Sequence, residues 1–421
     1  MTLTDPFVTL SGMGTIKVLK DRHIVLGVTG SIACYKAVDL ASKLTQAGAL
    51  VDVIMTESAA RFVTPLAFRS VTGRPVYTDM WDMSDHVPHV GLGESADVLL
   101  IAPATANTLA KMATGIADNL LLVTTLAARC PIIVAPAMDG GMWEHPATQA
   151  NCAILRGRGI YQAGPATGRM ASGLSGLGRM MEPAELLGEL RLLLSRGGEL
   201  HGRRVVVSTG PTREPLDPVR FISNRSSGKQ GLAVAQAAVD AGADVTLIAG
   251  STCEQIPYGA NVIRVQTTQE MGDAVLASIE EADALFMVAA VADFKPMSVA
   301  DRKIKKSDNP TDQLTIHLEK TLDILVAVKE RRQVSGYPKV VLGFAAETHD
   351  ITAYGREKLE RKGLDFIAIN DVTAEGAGFA VDTNRVLLLG ANGMVEDMPL
   401  QSKGEVAERL VHAVALALNT A

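Results

Sequence analysis

The chain's most chemically specific stretch is Thr209-Gly210-Pro211-Thr212-Arg213-Glu214-Pro215-Leu216-Asp217-Pro218-Val219-Arg220-Phe221-Ile222-Ser223-Asn224-Arg225-Ser226-Ser227-Gly228-Lys229-Gln230-Gly231. Its prolines fix an extended path. Ser226, Ser227 and Gly228 offer hydroxyls and backbone amides to a triphosphate. Gly228-Lys229 is reminiscent of a P-loop, but the GxxxxGK[ST] spacing is absent. A loop this long inside a compact domain is usually functional. Asp293, in Ala289-Ala290-Val291-Ala292-Asp293-Phe294 at the end of a strand, suits a magnesium ion or a hydroxyl group, or else a helix N-cap. Lys303-Ile304-Lys305-Lys306 lies in a polar segment from Lys295 to Thr311, expected as a mobile loop. By itself this is a solvated basic patch. Opposite a phosphate turn, it supplies the positive charge that nucleotidyl transfer requires. Gly343 to Thr348 follows a strand at Lys339 to Leu342, and Lys358 and Lys362 share one helix face.

The first half carries four further features. Gly30-Ser31-Ile32-Ala33 follows an apolar strand and forms either a phosphate turn at a helix start or a plain strand-to-helix turn. Thr105, Ala106 and Asn107 bring hydroxyl and amide groups to another strand end, where open α/β sheets bind ligands; Thr105 also fits an N-cap. His89, in Pro88-His89-Val90-Gly91-Leu92-Gly93, reads as a loop histidine without helical period, suited to acid–base work or to solvation, with His86 as a competitor. Asp139 in Pro136-Ala137-Met138-Asp139 follows the strand Ile132–Ala135 and also suits a turn before Gly140.

Two cassettes must position these groups. One opens with His23–Ser31 and the other with Arg203–Pro211; each runs strand, small-residue turn, helix, strand. Second strands follow at Gly48–Thr56 and Gly242–Gly250, third strands at Ala96–Pro103 and Ala282–Ala289. This is the βαβ pattern, so the fold class is α/β: two Rossmann-like, three-layer domains with mostly parallel sheets. A length of 421 residues exceeds what one core usually supports. The net charge of −6 gives no electrostatic reason for nucleic-acid binding. Four widely spaced cysteines make neither a metal pattern nor a disulfide framework, which fits a reducing compartment. No run resembles a signal peptide or is long enough to span a bilayer, and a cytoplasmic location is expected. The expected organisation is a loose tail at 1–22, a first domain at 23–195 closed by a helix from Leu186, a linker at 196–202, and a second domain at 203–421 ending in a helix at Lys403–Leu418.

From His23 to Leu418 these motifs, in this order, resemble the bifunctional coenzyme A biosynthesis flavoproteins, in which a flavodoxin-like phosphopantothenoylcysteine decarboxylase is fused to a phosphopantothenate–cysteine ligase. The resemblance implies flavin mononucleotide near Gly30, Ser31, Thr56, Thr105 and Asn107, His89 assisting oxidation of the substrate thiol, and the Asp139 loop at the substrate carboxylate. It implies that cytidine triphosphate, with magnesium at Asp293, activates 4′-phosphopantothenate before cysteine attacks. Asn224 then contacts the acyl intermediate and Lys303 stabilises the transferring charge. Nucleotide contacts fall on Ala289, Ala290, Val291, Asp293, Leu322, Asp323, Ile324, Leu325, Phe344, Lys358 and Lys362. Flavin-domain trimers and ligase-domain dimers are also implied. Three places depart from the family pattern. Asp139 replaces Asn, and Ser172, in the flap Gly168–Leu174, replaces a proton-donating Cys. Lys320-Thr321-Leu322-Asp323 replaces Lys-Asn-Pro-Asp. A hydroxyl is a much weaker acid than a thiol, so the flap's proton delivery is the step most altered. Two rival readings are an active ligase whose flavin domain acts on another carboxylate, and a flavin-binding regulatory protein.

Overall fold

The computed structural model describes residues 16–81, 88–169, 173, 175–305, 314–347, 351–371 and 381–420. The chain divides into two compact units at Leu194/Ser195.

In the first unit the strands are β1 (His23–Val28), β2 (Leu50–Met55), β3 (Val76–Tyr77), β4 (Val98–Ala104), β5 (Ile132–Pro136) and β6 (Tyr161–Gln162). Their sheet order is β3-β2-β1-β4-β5-β6, all parallel. An antiparallel ribbon, β7 (Ala166–Arg169) with β8 (Ser175–Arg179), stands apart from this sheet. The helices are α1 (Cys34–Gln46), α2 (Glu57–Ala60), α3 (Pro65–Thr72), α4 (Pro88–Ser95), α5 (Ala106–Thr114), α6 (Leu120–Ala127), α7 (Gly140–Glu144), α8 (Pro146–Gly157) and α9 (Pro183–Leu194). Helices on both faces explain why β4 is an unbroken apolar run, buried at every position. Chain order reverses between β1 and β4, which opens a crevice at their carboxyl ends.

The second unit repeats the plan with β9 (Arg204–Thr209), β10 (Arg213–Pro215), β11 (Phe221–Ser223), β12 (Asp244–Ala249), β13 (Asn261–Arg264), β14 (Ala284–Met287), β15 (Phe294–Pro296), β16 (Leu318–Lys320), β17 (Val340–Glu347), β18 (Phe366–Asp371), β19 (Thr383–Gly390) and β20 (Val395–Ser402). Its helices are α10 (Lys229–Asp240), α11 (Thr268–Ser278), α12 (Ile324–Ser335), α13 (Ile351–Lys362) and α14 (Lys403–Thr420). The sheet order is β13-β12-β9-β14-β17-β18-β19-β20, with antiparallel pairing only at β18–β19 and β19–β20. The reversal falls between β9 and β14, so the second crevice opens there.

Four expectations are corrected. Residues 16–22 are not loose: Leu19 is fully buried, and the Ile16 and Asp21 amides donate to the Ala47 and Gly48 carbonyls, closing the sheet's end. Residues 196–202 fold onto the second unit, where Leu200 is buried and its N–H donates to Ala241 O. The polar segment expected as a loop begins inside β15, paired with β16; residues 306–313 lie outside the described residues. Gly343 to Glu347 continue β17, because pairing with β18 extends to Glu347↔Asp371.

A buried charge cluster fastens the amino edge of the first sheet. The Asp52 carboxylate accepts two bonds from Arg74, both 2.8 Å, and lies 2.5 Å from His23 Nε2. The bond to Asp52 raises the His23 imidazole above its ordinary 6.5, against the opposing effect of burial. Burial pushes Asp52 up, but the bonds from His23 and Arg74 outweigh it and hold the carboxyl below 3.8. The His23 contribution to stability is therefore complete below about pH 6.5 and lost as pH rises through the raised value; that of Asp52 is lost only as pH falls through its lowered one. We expect His23→Gln to flatten the fall in melting temperature of the first unit as pH rises above about 6.5. Parallel profiles for the two proteins would refute the linkage.

Candidate functional site

In the first unit, Gly30 and Ser31 leave β1, Thr56 leaves β2, and Thr105 and Asn107 leave β4. Three neighbouring strands thus deliver these residues to one edge of the sheet at the reversal point. Thr56 caps α2 by accepting from Ala59 N–H, and Thr105 caps α5 by accepting from Thr108 N–H. The Ser31 hydroxyl accepts from Ala33 N–H at 3.3 Å, and α1 begins with no side-chain cap at Ala33. Asn107 is exposed in the first turn of α5.

Sequence reasoning missed the residue that joins these ends. Thr29, 1% exposed, donates through Oγ1 to Pro103 O at 2.7 Å and accepts from Thr105 N–H at 3.1 Å. One hydroxyl therefore fixes the spacing between the exits of β1 and β4. The second unit has a counterpart. Ser208, fully buried in β9, accepts from Val288 N–H at 3.0 Å and from Ala289 N–H at 3.1 Å. Aligning the two Thr-Gly turns would pair Thr29 with Thr209, but the Thr209 hydroxyl instead donates to Gly228 O at 2.8 Å. A hydroxyl at the end of each first strand was the available signal; its partner was not.

His89 lies in the first turn of α4, which corrects the loop expectation. Gly91 and Gly93 weaken the local helical signal, yet Gly93 is needed: a Cβ there would sit 3.0 Å from the backbone of Ala127, where α4 packs on α6. The far end of α4 meets the amino edge of the sheet, where His23 bonds to the backbone of Ser95. His89, six residues earlier, lies about 9 Å nearer the carboxyl edge. Its Nδ1 is buried and has no hydrogen-bond partner among the described residues.

Asp139 caps α7, accepting from Gly141 N–H at 3.1 Å. The preceding Met138 N–H donates to Gly178 O on β8 at 2.9 Å. A Cβ on Gly178 would come within 2.5 Å of Met138 O, so glycine lets the ribbon lie against the Asp139 loop. Lys36, buried on α1, donates to Met180 O at 3.1 Å and to Glu182 at 2.9 Å, which ties the foot of the ribbon to α1. Ser172, His86 and most of the ribbon tip lie outside the described residues.

In the second unit, Asn224 donates through Nδ2 to Val291 O at 2.8 Å. This joins the loop after β9 to Ala289–Asp293 after β14. Asp293 is exposed and precedes β15, so it caps no helix. Lys303 is exposed beside an anchored neighbour. The buried Asp217 carboxylate accepts from the N–H groups of Val219, Arg220 and Ile304, and Arg220 donates to Ile304 O at 2.7 Å. Burial alone would raise Asp217; those backbone N–H groups hold its carboxyl below the usual range. Lys229, which follows Gly228 at the start of α10, directs its Nζ to Asp382 at 2.7 Å.

Asp323 caps α12, accepting from Val326 N–H, and pairs with Lys362 at 3.2 Å. Leu322 is exposed, whereas Ile324 is a core side chain that can offer a ligand little beyond its backbone. Leu325 and Phe344 are half-buried, and Lys358 is half-buried one turn before Lys362 on α13. Among the described residues no group of three or more His, Cys, Asp or Glu forms a metal cluster, and no helix is long and apolar enough to cross a membrane.

Two family models match the chain: "Flavoprotein" over residues 16–194, and "DNA/pantothenate metabolism flavoprotein C-terminal domain" over residues 200–417. The "Coenzyme A biosynthesis bifunctional protein CoaBC" of Bacillus subtilis (strain 168) is 43% identical over 402 residues, covering 94% of this chain and 97% of that protein. The protein of the same name from Mycobacterium tuberculosis (strain ATCC 25618 / H37Rv) is 46% identical over 405 residues, covering 93% and 96%. A crystal structure of the C-terminal domain of such a bifunctional protein is 33% identical, covers 53% of this chain and all of that one, and has a TM-score of 0.45.

Proposed function

The chain belongs to the family of bifunctional coenzyme A biosynthesis flavoproteins, and from that membership we propose how its two crevices divide the work. It is an enzyme that combines phosphopantothenate–cysteine ligase and flavin-dependent phosphopantothenoylcysteine decarboxylase activities. The ligase acts first. A carboxylate oxygen of 4′-phosphopantothenate attacks the α-phosphorus of cytidine triphosphate, releasing pyrophosphate and forming an acyl-cytidylate. The amine of cysteine then attacks the acyl carbon, losing a proton, and cytidine monophosphate leaves with the former C–O bond electrons.

The observation that carries this reading is the Asn224–Val291 bond, which places a long proline-fixed loop against the segment leading to Asp293. Lys303, beside the Ile304 anchor, supplies positive charge as negative charge grows on the phosphate oxygens. Lys362, Lys358 and Phe344 form the nucleotide's outer wall. Asp293, exposed at the end of this segment, would hold the magnesium ion that neutralises phosphate charge.

In the first unit the edge formed by Gly30, Ser31, Thr56, Thr105 and Asn107 suits a flavin phosphate and ring, and the buried His89 Nδ1, without a partner among the described residues, suits a bound polar group. Flavin mononucleotide held there would supply the transient oxidation of the thiol-bearing carbon and the matching reduction once carbon dioxide has left. His89 holds or moves a proton beside the substrate. Asp139 directs its carboxylate to Gly141 N–H, which eases its repulsion of the substrate carboxylate. Ser172, with water, takes the place of the usual thiol donor. The exposed apolar side chains of Ile32, Tyr35 and Leu66 support self-association of the flavin unit, and dimerisation of the ligase unit rests on the family resemblance alone.

Thr29→Val keeps the side-chain shape but leaves Pro103 O and Thr105 N–H unpaired. It is expected to destabilise the first unit by about 2 kcal/mol and to weaken flavin retention, read as loss of yellow absorbance on dialysis; undiminished retention counts against the strut. The ligase and decarboxylase readings are tested together by supplying 4′-phosphopantothenate, cysteine, cytidine triphosphate and magnesium, and following pyrophosphate and carbon dioxide separately. Both should appear, with carbon dioxide lagging. Pyrophosphate without carbon dioxide favours a flavin unit acting on another carboxylate; neither product sinks the proposal.

A further inference from the structure

Ala292, between Val291 and Asp293, has both of its backbone polar groups held by side-chain hydroxyls. Its N–H donates to Thr212 Oγ1 at 3.0 Å, and its carbonyl accepts from Thr321 Oγ1 at 2.6 Å. Thr212 Oγ1 lies 3.2 Å from Thr268 Oγ1, which donates to Glu214 at 2.8 Å. Thr212, Thr268 and Glu214 are 0%, 1% and 2% exposed, so water does not compete.

Proton counting gives this network a direction. Each hydroxyl carries one proton. Thr268 gives its proton to the Glu214 carboxylate, since its alternative contact, with Ala292 O, is longer at 3.4 Å. Thr212 therefore donates to Thr268, and its lone pair is left to accept from Ala292. The chain runs from the Ala292 amide through two threonines to a buried carboxylate, and bonds aligned this way reinforce one another. Glu214 also accepts Thr268 N–H at 2.8 Å, at the start of α11. On the other side Thr321 spans two successive carbonyls: its N–H donates to Asp293 O at 3.0 Å while its hydroxyl takes Ala292 O.

We infer that Thr321 is a positioning residue for nucleotide binding. Together with the chain that ends on Glu214, it sets the peptide planes of residues 291–293, and hence where Val291 O holds the Asn224 amide and where Asp293 presents its carboxylate to a nucleotide-bound cation. Thr321 stands where the family pattern has asparagine, and its hydroxyl provides the strut in this chain. The inference rests on the ligase reading.

Thr321→Val removes the donor and keeps the shape; Thr321→Ser keeps the donor. In the full-length enzyme, T321V should raise KM for cytidine triphosphate about tenfold, as expected for one lost buried hydrogen bond. Its kcat for pyrophosphate release should change much less, and T321S should recover most of the affinity. Decarboxylation of supplied phosphopantothenoylcysteine should be unaffected by either change. Amide hydrogen exchange at residues 292–293 should speed up in T321V but not in T321S, a readout that needs no nucleotide. Equal KM values in T321V and wild type overturn the inference. So does a common loss of melting temperature in T321V and T321S without a KM difference between them. A wild-type enzyme that releases no pyrophosphate overturns the ligase reading instead, and hydrogen exchange then judges the strut alone.

Discussion

Replacing Lys303 by alanine should reduce pyrophosphate release at least about a hundredfold, the usual consequence of removing one group that stabilises transition-state charge. Decarboxylation of supplied phosphopantothenoylcysteine should continue at the wild-type rate. The expected effect is large because Lys303 is exposed while the backbone beside it is fixed. Asp217 accepts Ile304 N–H, and Arg220 donates to Ile304 O. Truncating Lys303 therefore removes charge from the crevice and leaves the loop's foot in place. Lys303→Arg keeps the charge and should retain more activity than alanine, less than wild type if the compact ammonium matters. Pyrophosphate release by Lys303→Ala within threefold of wild type, about 0.7 kcal/mol, would show that the charge comes from elsewhere.

His89→Asn should do the converse: carbon dioxide release falls by about 10²–10⁴-fold, the range for loss of a positioned acid or base, while ligation is unchanged. The structure makes this a demanding test. His89 is in the first turn of a helix whose packing depends on Gly93 against α6, and its Nδ1 is buried with no partner among the described residues. A histidine kept only for packing has little reason to bury an unpaired ring nitrogen, given the cost of leaving a polar atom unsatisfied. The asparagine variant should keep its flavin, visible in its absorbance, so that lost turnover is separated from lost cofactor. Retention of more than about a tenth of the wild-type rate would remove His89 from the acid–base role.

Both crevices were legible in the sequence because their signals are local. An apolar run, a small-residue turn and a helical stretch can be recognised within one cassette, and the handedness of βαβ connections orders the strands. The residues at the strand ends, Gly30, Ser31, Thr105, Asp139 and Asp293, follow directly, since their positions depend only on where each strand stops. The closing helices α9 and α14 were equally accessible from their periodicity.

Non-local choices were not legible. Thr29 meets Pro103 across 74 positions, Ser208 meets Ala289 across 81, and Asp217 meets Ile304 across 87. Nothing in the composition around a threonine or serine says which distant amide it will satisfy, because that depends on strand register and on how closely two loops approach. The two glycines within α4 concealed a helix for the same reason: Gly93 serves the contact with α6, which no local propensity reveals. The amino-acid order thus determined the two α/β units and the chemical types gathered at their open edges. Tertiary packing alone decided which hydroxyls and carboxylates hold those edges rigid, because a buried backbone group must be satisfied by whichever side chain the fold brings within about 3 Å.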